Sequence, residues 1–147
     1  MKLELHLIPK TSYYINLRNY LGSGWKVISD SIRAKNDFTC QYCNLKKDPK
    51  NIHLHEVWEF SKETSVQKLV KFECICSTCH SIHHWGLSMI QGKNMPFLSK
   101  YACKINNCSI FEWNSYVEEC FEEWKKRSEI SWKVDVSYID TFKVNFI

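Results

Sequence analysis

Cys74-Ile75-Cys76-Ser77-Thr78-Cys79-His80-Ser81-Ile82-His83-His84-Trp85-Gly86-Leu87 concentrates the ligand chemistry of this 147-residue chain. Cys76 and Cys79 form a C-x2-C pair, and His80 and His84 follow it four residues apart. Ser77-Thr78 leads into a predicted helix that carries His80, His83 and His84 and ends near Gly86. Residues i and i+4 share one helix face, so His80 and His84 make a two-imidazole platform for a single ion. His83 points elsewhere on that helix and reads as a surface or phosphate-contacting residue.

Upstream lies a second C-x2-C pair, Cys40 and Cys43, within Phe38-Thr39-Cys40-Gln41-Tyr42-Cys43. Two such pairs can converge on one tetrahedral zinc ion at about 2.3 Å per sulfur. The pairs are separated by 32 intervening residues, longer than a simple zinc ribbon allows. The inserted segment holds Ile52-His53-Leu54-His55-Glu56, the start of the best predicted strand in the middle of the chain, Ile52 to Phe60. His55 on that strand is the obvious third ligand beside His80 and His84. Three neutral imidazoles leave coordination positions open, as catalytic metal sites require.

Farther out, Leu3, Leu5 and Leu7 alternate with Lys2, Glu4 and His6, which predicts a strand over residues 2–8 ended by Pro9. Residues 10–21 have no clean period and read as a loop with a short helix, broken by Gly22-Ser23-Gly24. Trp25, Ile28 and Ile32 recur at helical spacing up to Asn36. Ser61 to Ser65 is a polar loop, and Val66 to Phe72 fits helix or strand equally well. A helix is expected after Pro96. Ser109 is a suitable N-cap for a long amphipathic helix to about Ser128, with Ile110, Trp113, Val117, Cys120, Phe121 and Trp124 on one stripe. Trp132, Val134, Val136 and Tyr138 alternate as a closing strand, placed beside the first one. The whole chain, 1–147, reads as a single domain.

The hydrophobic fraction of 44% permits an ordinary core, while a net charge of +4 and a pI near 8.6 are only mildly basic. A nucleic-acid partner is allowed by that charge without being demanded by it. No early segment reads as a signal peptide and no apolar run is long enough to span a membrane, so a cytoplasmic protein is expected. In a reducing compartment the eight cysteines favour metal thiolates or buried thiols over disulfides. Cys74, Cys103, Cys108 and Cys120 lack ligand spacing and read as small hydrophobes.

The order of C-x2-C, a His-bearing strand and C-x2-C-H-x3-H resembles the HNH endonucleases of the ββα-metal type. His55-Glu56-Val57-Trp58-Glu59-Phe60 followed by Val66-Gln67-Lys68-Leu69-Val70 and by Cys76 to Leu87 is similar to a group of small bacterial HNH-like proteins. Ile8-Pro9, Asn16-Leu17-Arg18, Trp25 and Trp124-Lys125-Lys126-Arg127-Ser128 extend the likeness to nearly the whole chain. The resemblance implies an α+β fold: a ββα-metal core over 38–87, braced by a four-cysteine zinc site, with flanking helices and N- and C-terminal strands. It makes Cys40, Cys43, Cys76 and Cys79 the structural zinc ligands. His55 and His84 would hold a second divalent ion (Mg2+, Mn2+, Zn2+ or Ni2+), with His80 either its third ligand or a residue that steadies the loop. Gln67 stands in for the family's middle Asn.

One position departs from the family: Glu56 occupies the place of the general-base histidine. Glutamate, with an unperturbed pKa near 4.3, is a poorer base unless burial raises it. His53, two residues from His55 and on the same strand face, is the alternative base. The implied activity is metal-dependent hydrolysis of phosphodiester bonds, with DNA as the expected partner. Lys46, Lys47, Lys50, Lys68 and Lys71, with His83, are candidates for backbone phosphates. Two other functions fit the same motifs. One is a catalytically impaired HNH-fold module that binds nucleic acid or a protein. The other is a purely structural zinc protein.

Overall fold

The computed structural model describes residues 1–143. The element order is α1 (Leu17–Leu21), α2 (Ser23–Lys35), β1 (Ile52–Ser61), β2 (Val66–Cys76), α3 (Ser77–His83), α4 (Trp85–Ile90), α5 (Met95–Asn106), α6 (Ile110–Arg127), β3 (Lys133–Asp135) and α7 (Asp140–Lys143). The fold is mixed α+β around one three-stranded sheet and a cluster of four cysteines. The last four residues of the expected domain, 144–147, lie outside the described residues.

The sheet is built on one hairpin. β1 and β2 pair antiparallel from Ile52 opposite Cys76 to Ser61 opposite Val66, with a register shift between Val57 and Trp58. This pairing settles the ambiguity over Val66–Phe72: the segment is strand because β1 supplies its backbone partners. His55 sits opposite Glu73. β2 runs directly into α3, so the hairpin delivers Cys76 at its end and Cys79 and His80 on the first turns of the helix. α3 stops earlier than its sequence suggests. His84 takes φ −91° and ψ 46°, and α4 starts in a new direction at Trp85.

Two expectations about the termini are corrected. Residues 2–8 form no strand. Leu3, Leu5 and Leu7 do alternate inward and are buried, but the segment is held by side chains and one backbone bond, from the His6 N–H to the His83 carbonyl, instead of a ladder. Asn106 Oδ1 accepts from the Leu3 N–H at 2.8 Å, and Asn106 Nδ2 donates to the Leu3 carbonyl at 3.1 Å. Tyr116 Oη accepts from the Leu5 N–H at 3.0 Å, and Trp124 Nε1 donates to the Ile8 carbonyl at 2.8 Å. The closing strand is reduced to β3, which pairs parallel with Val66–Lys68 of β2 and not with the N-terminal segment.

The helices follow their sequence signals. Gly22, at φ 54°, separates α1 from α2, and Ser23 and Gly24 then belong to α2. Only glycine enters that region of φ without steric cost. Ser109 caps α6 through a complete capping box with Glu112. Ile28 of α2 packs into one apolar cluster with Leu17, Leu54, Leu69, Phe72 and Ile139. A second cluster joins Leu3, Leu5 and Leu7 to Ile75, Ile82, Trp85 and the fully buried Trp113 of α6. Cys74 is buried, and Cys103, Cys108 and Cys120 pack half-buried against that cluster, as small hydrophobes do. Among the described residues no helix is long and apolar enough to cross a membrane.

Candidate metal centre

Cys40, Cys43, Cys76 and Cys79 converge, their sulfurs within 4.8 Å of one another. Cys40 Sγ lies 3.7 Å from Cys79 Sγ, and Cys43 Sγ 3.9 Å from Cys76 Sγ. A tetrahedron with metal–sulfur bonds of about 2.3 Å has an edge of about 3.8 Å, and these two edges match it, so the four cysteines could hold a zinc ion. Their proton affinities are divided in the way one shared cation would resolve. Hydrogen bonding among Cys40, Cys76 and Cys79 lowers the Cys40 thiol and raises the Cys79 thiol.

Beside this cluster stands a second group of ligand atoms. One ring nitrogen from each of His55, His80 and His84 lies within 4.8 Å of the others. His55 comes from β1, His80 from α3, and His84 from the break between α3 and α4. The break swings the His84 ring to 4.6 Å from that of His80 at 83°, and to 4.9 Å from that of His55 at 75°. Burial is the main cause holding His80 at about 3 and His84 at about 4, with neighbouring imidazoles adding to it, and it holds His55 well below its ordinary value. All three rings are therefore neutral at pH 7 and offer lone pairs.

His83 is corrected. It is fully buried, so it is neither a surface residue nor a phosphate contact. Its Nδ1 donates to the Glu4 carbonyl at 2.6 Å, and its Nε2 lies 3.3 Å from the Glu73 carboxylate. Fully buried and held through Nδ1, His83 supports the site as structure. A second triad, His6, His55 and His83, also lies within 4.8 Å, but His83 is fully buried and its Nδ1 is taken by the Glu4 carbonyl. Glu73 ties this layer together. Burial pushes its carboxyl up, yet His83, Lys71 at 2.9 Å and the Tyr42 hydroxyl at 2.7 Å outweigh that and hold it at about 2. Tyr42 stands between Cys40 and Cys43, so the carboxylate joins the cysteine turn to the histidine layer.

Two residues that spacing arguments missed belong here. His6 Nδ1 lies 2.7 Å from His55 Nε2, and its ring stacks on His83 at 4.0 Å. Arg18 lines a 190 Å3 cavity together with His55, Glu56, Trp58, Gln67, His80 and His84. Glu56 thus shares a cavity with the three histidines although strand alternation points it away from His55. Burial raises its carboxyl above the ordinary range despite a 3.3 Å hydrogen bond from Trp58 Nε1.

His53 stays outside that cavity: its Nε2 is 2.9 Å from Ser77 Oγ and its ring stacks on His80 at 5.0 Å. None of the candidate lysines lines the cavity. Lys46 pairs with Asp37 at 2.7 Å and Lys71 with Glu73, Lys68 borders a separate hollow at the hairpin end, and Lys47 and Lys50 lie near the cysteine turn. No protein-family model, no curated protein and no solved structure matches this chain.

Proposed function

We propose that the chain is a metal-dependent endonuclease of the HNH type, hydrolysing phosphodiester bonds of DNA at a ββα-metal core formed by β1, β2 and α3. The observation that carries this reading is the convergence of His55, His80 and His84, neutral and partly open to a cavity, next to four cysteines that fit zinc. In this reading Cys40, Cys43, Cys76 and Cys79 hold a structural zinc, and the three histidines hold a second divalent ion. When bound there, such an ion supplies Lewis acidity toward a phosphate oxygen and the departing 3′ oxygen.

The remaining work falls to side chains. Glu56, raised by burial and steadied by the Trp58 indole, takes the proton from the attacking water. Burial thus offsets the weakness of glutamate as a base, and Glu56 is favoured over His53, whose ring is engaged with Ser77 and His80. Arg18 supplies the cation for a backbone phosphate.

The test is nicking of supercoiled plasmid in Mg2+ or Mn2+ by the zinc-loaded chain. Cleavage is expected for the wild type, and background rates for His55→Ala and His84→Ala with zinc content retained. Absence of cleavage with every divalent ion tried, or full cleavage by His84→Ala, would overturn the nuclease. Retained DNA binding without cleavage would instead favour the impaired binding module, a reading that glutamate at position 56 keeps open.

A further inference from the structure

The C-terminal end of α5 closes in a Schellman-type cap. Asn107 takes φ 50° and ψ 51°, in the left-handed region, and the Cys108 N–H returns to the Cys103 carbonyl at 3.1 Å. In such a cap the residue after the left-handed position folds back on the last helical turn, and an apolar contact commonly joins the two. Here both positions are cysteine. The bond lengths along that backbone contact keep the two Cα atoms no more than about 7 Å apart. The bend at each atom brings them closer, toward the roughly 4.4–6.8 Å that a disulfide spans. The two thiols already interact: burial pushes Cys108 up, and the neighbouring Cys103 adds to the rise. Both residues are half-buried, and Cys103 borders an open hollow with Met95, Ser99 and Lys100.

We propose that Cys103 and Cys108 are a site of reversible oxidation, at which a peroxide closes a disulfide across the α5 cap. Cys103, the sulfur that borders the hollow, attacks the O–O bond and gives up its proton. It becomes a sulfenic acid, and the other peroxide oxygen leaves as water. Cys108 then attacks that sulfur, and the hydroxyl leaves as water with the Cys108 proton. Two thiols lose two electrons and two protons in all, and one hydrogen peroxide becomes two waters. The ring so closed holds Asn106 and Asn107. Asn106 is the side chain that bonds the backbone of Lys2 and Leu3, and His6 follows on the same segment. Oxidation thus tightens the support beneath the histidine layer.

The test treats the full zinc-loaded chain with graded hydrogen peroxide and digests it with trypsin. Trypsin cuts after Lys104, inside the loop, so the disulfide leaves residues 101–104 joined to residues 105–125 in the mass spectrum. Cys120→Ser, which makes Cys108 the only thiol of the second peptide, assigns the link. The joined species is expected at peroxide doses that leave zinc stoichiometric. The melting temperature should rise by about 5 °C with it, and hydrogen exchange at the Leu3 amide should slow. Dithiothreitol should reverse all three, and Cys103→Ala and Cys108→Ala should show none of them. Release of zinc before any link forms overturns the site, as does a link to another cysteine, or Cys103 sulfinic acid beside a free Cys108. A link that changes neither melting nor Leu3 exchange overturns the tightening of the clamp.

Discussion

His6 shows what a single residue adds to a site that spacing alone finds. His55 Nε2 and His6 Nδ1 are 2.7 Å apart, so one of them carries the shared proton. If His55 is to present Nδ1 to an ion, Nε2 must be the N–H, and His6 must accept it. Partners of this kind fix the tautomer of a metal-bound imidazole, and their loss typically costs 10–100-fold in metal affinity. His6→Ala should therefore weaken the second ion by about 10–100-fold in a Co2+ titration of the zinc-loaded chain. His6→Asn, whose side-chain oxygen can stand near the place of Nδ1, should recover most of it. Nitrogen-detected NMR of the metal-free site should show His55 protonated at Nε2; an Nδ1–H tautomer would contradict the arrangement. Sequence spacing singled out His55, His80 and His84 because two lie four apart after a C-x2-C pair and the third lies near the start of a strand, although His84 falls in the break after α3. It missed His6, 49 residues from its partner in an unremarkable alternating run. It misread His83 because a helical wheel gives direction about one axis and says nothing of what packs there.

At the scale of elements, the chain was legible wherever local chemistry decides and illegible where a distant partner does. Gly22, the strand from Ile52, Pro96 in the first turn of α5 and the Ser109 cap all act within a few residues, and all appear as read. Leu3, Leu5 and Leu7 report an extended backbone with one buried face, which a strand and a clamped segment share. The difference lies in Asn106 and Tyr116, about a hundred residues away. Asn106 is the main clamp, with three bonds to the backbone of Lys2 and Leu3. Leu3 is fully buried, so removing the amide leaves its N–H and carbonyl unpaired. Asn106→Ala should cost about 2–3 kcal/mol in a urea melt. Because His6 rides on the same segment, the variant should also weaken the second ion, which a general loss of helix stability would not do at temperatures well below its melt. An unfolding free energy within about 0.5 kcal/mol of wild type would show that the segment is held elsewhere.

For the molecule as a whole, the histidine layer sets how the fold meets acid. His6 and His80 are held at about 3 and His84 at about 4, chiefly by burial, against an ordinary value of 6.5. Below pH 6.5 the unfolded chain takes up protons on these rings and the folded chain does not. Stability is the integral of that difference, so it is fully present above about 6.5 and drains away as pH falls toward 4 and then 3. Glu73, held at about 2 against 4.5, adds a second loss over the lower window. A fold protected only by paired carboxylates would stay level down to about pH 4.5. This one should begin to lose melting temperature below about pH 6.5, and steadily. An ion bound by neutral imidazoles acts with the same sign, since protons compete for the same lone pairs. Zinc content measured in the same samples separates this slope from acid loss of the thiolate site, since the decline should start while zinc is still stoichiometric. A melting temperature level from pH 7 to 5 with zinc retained would mean that the rings are protonated or solvated in the folded chain, and the neutral triad on which ion binding depends would be gone.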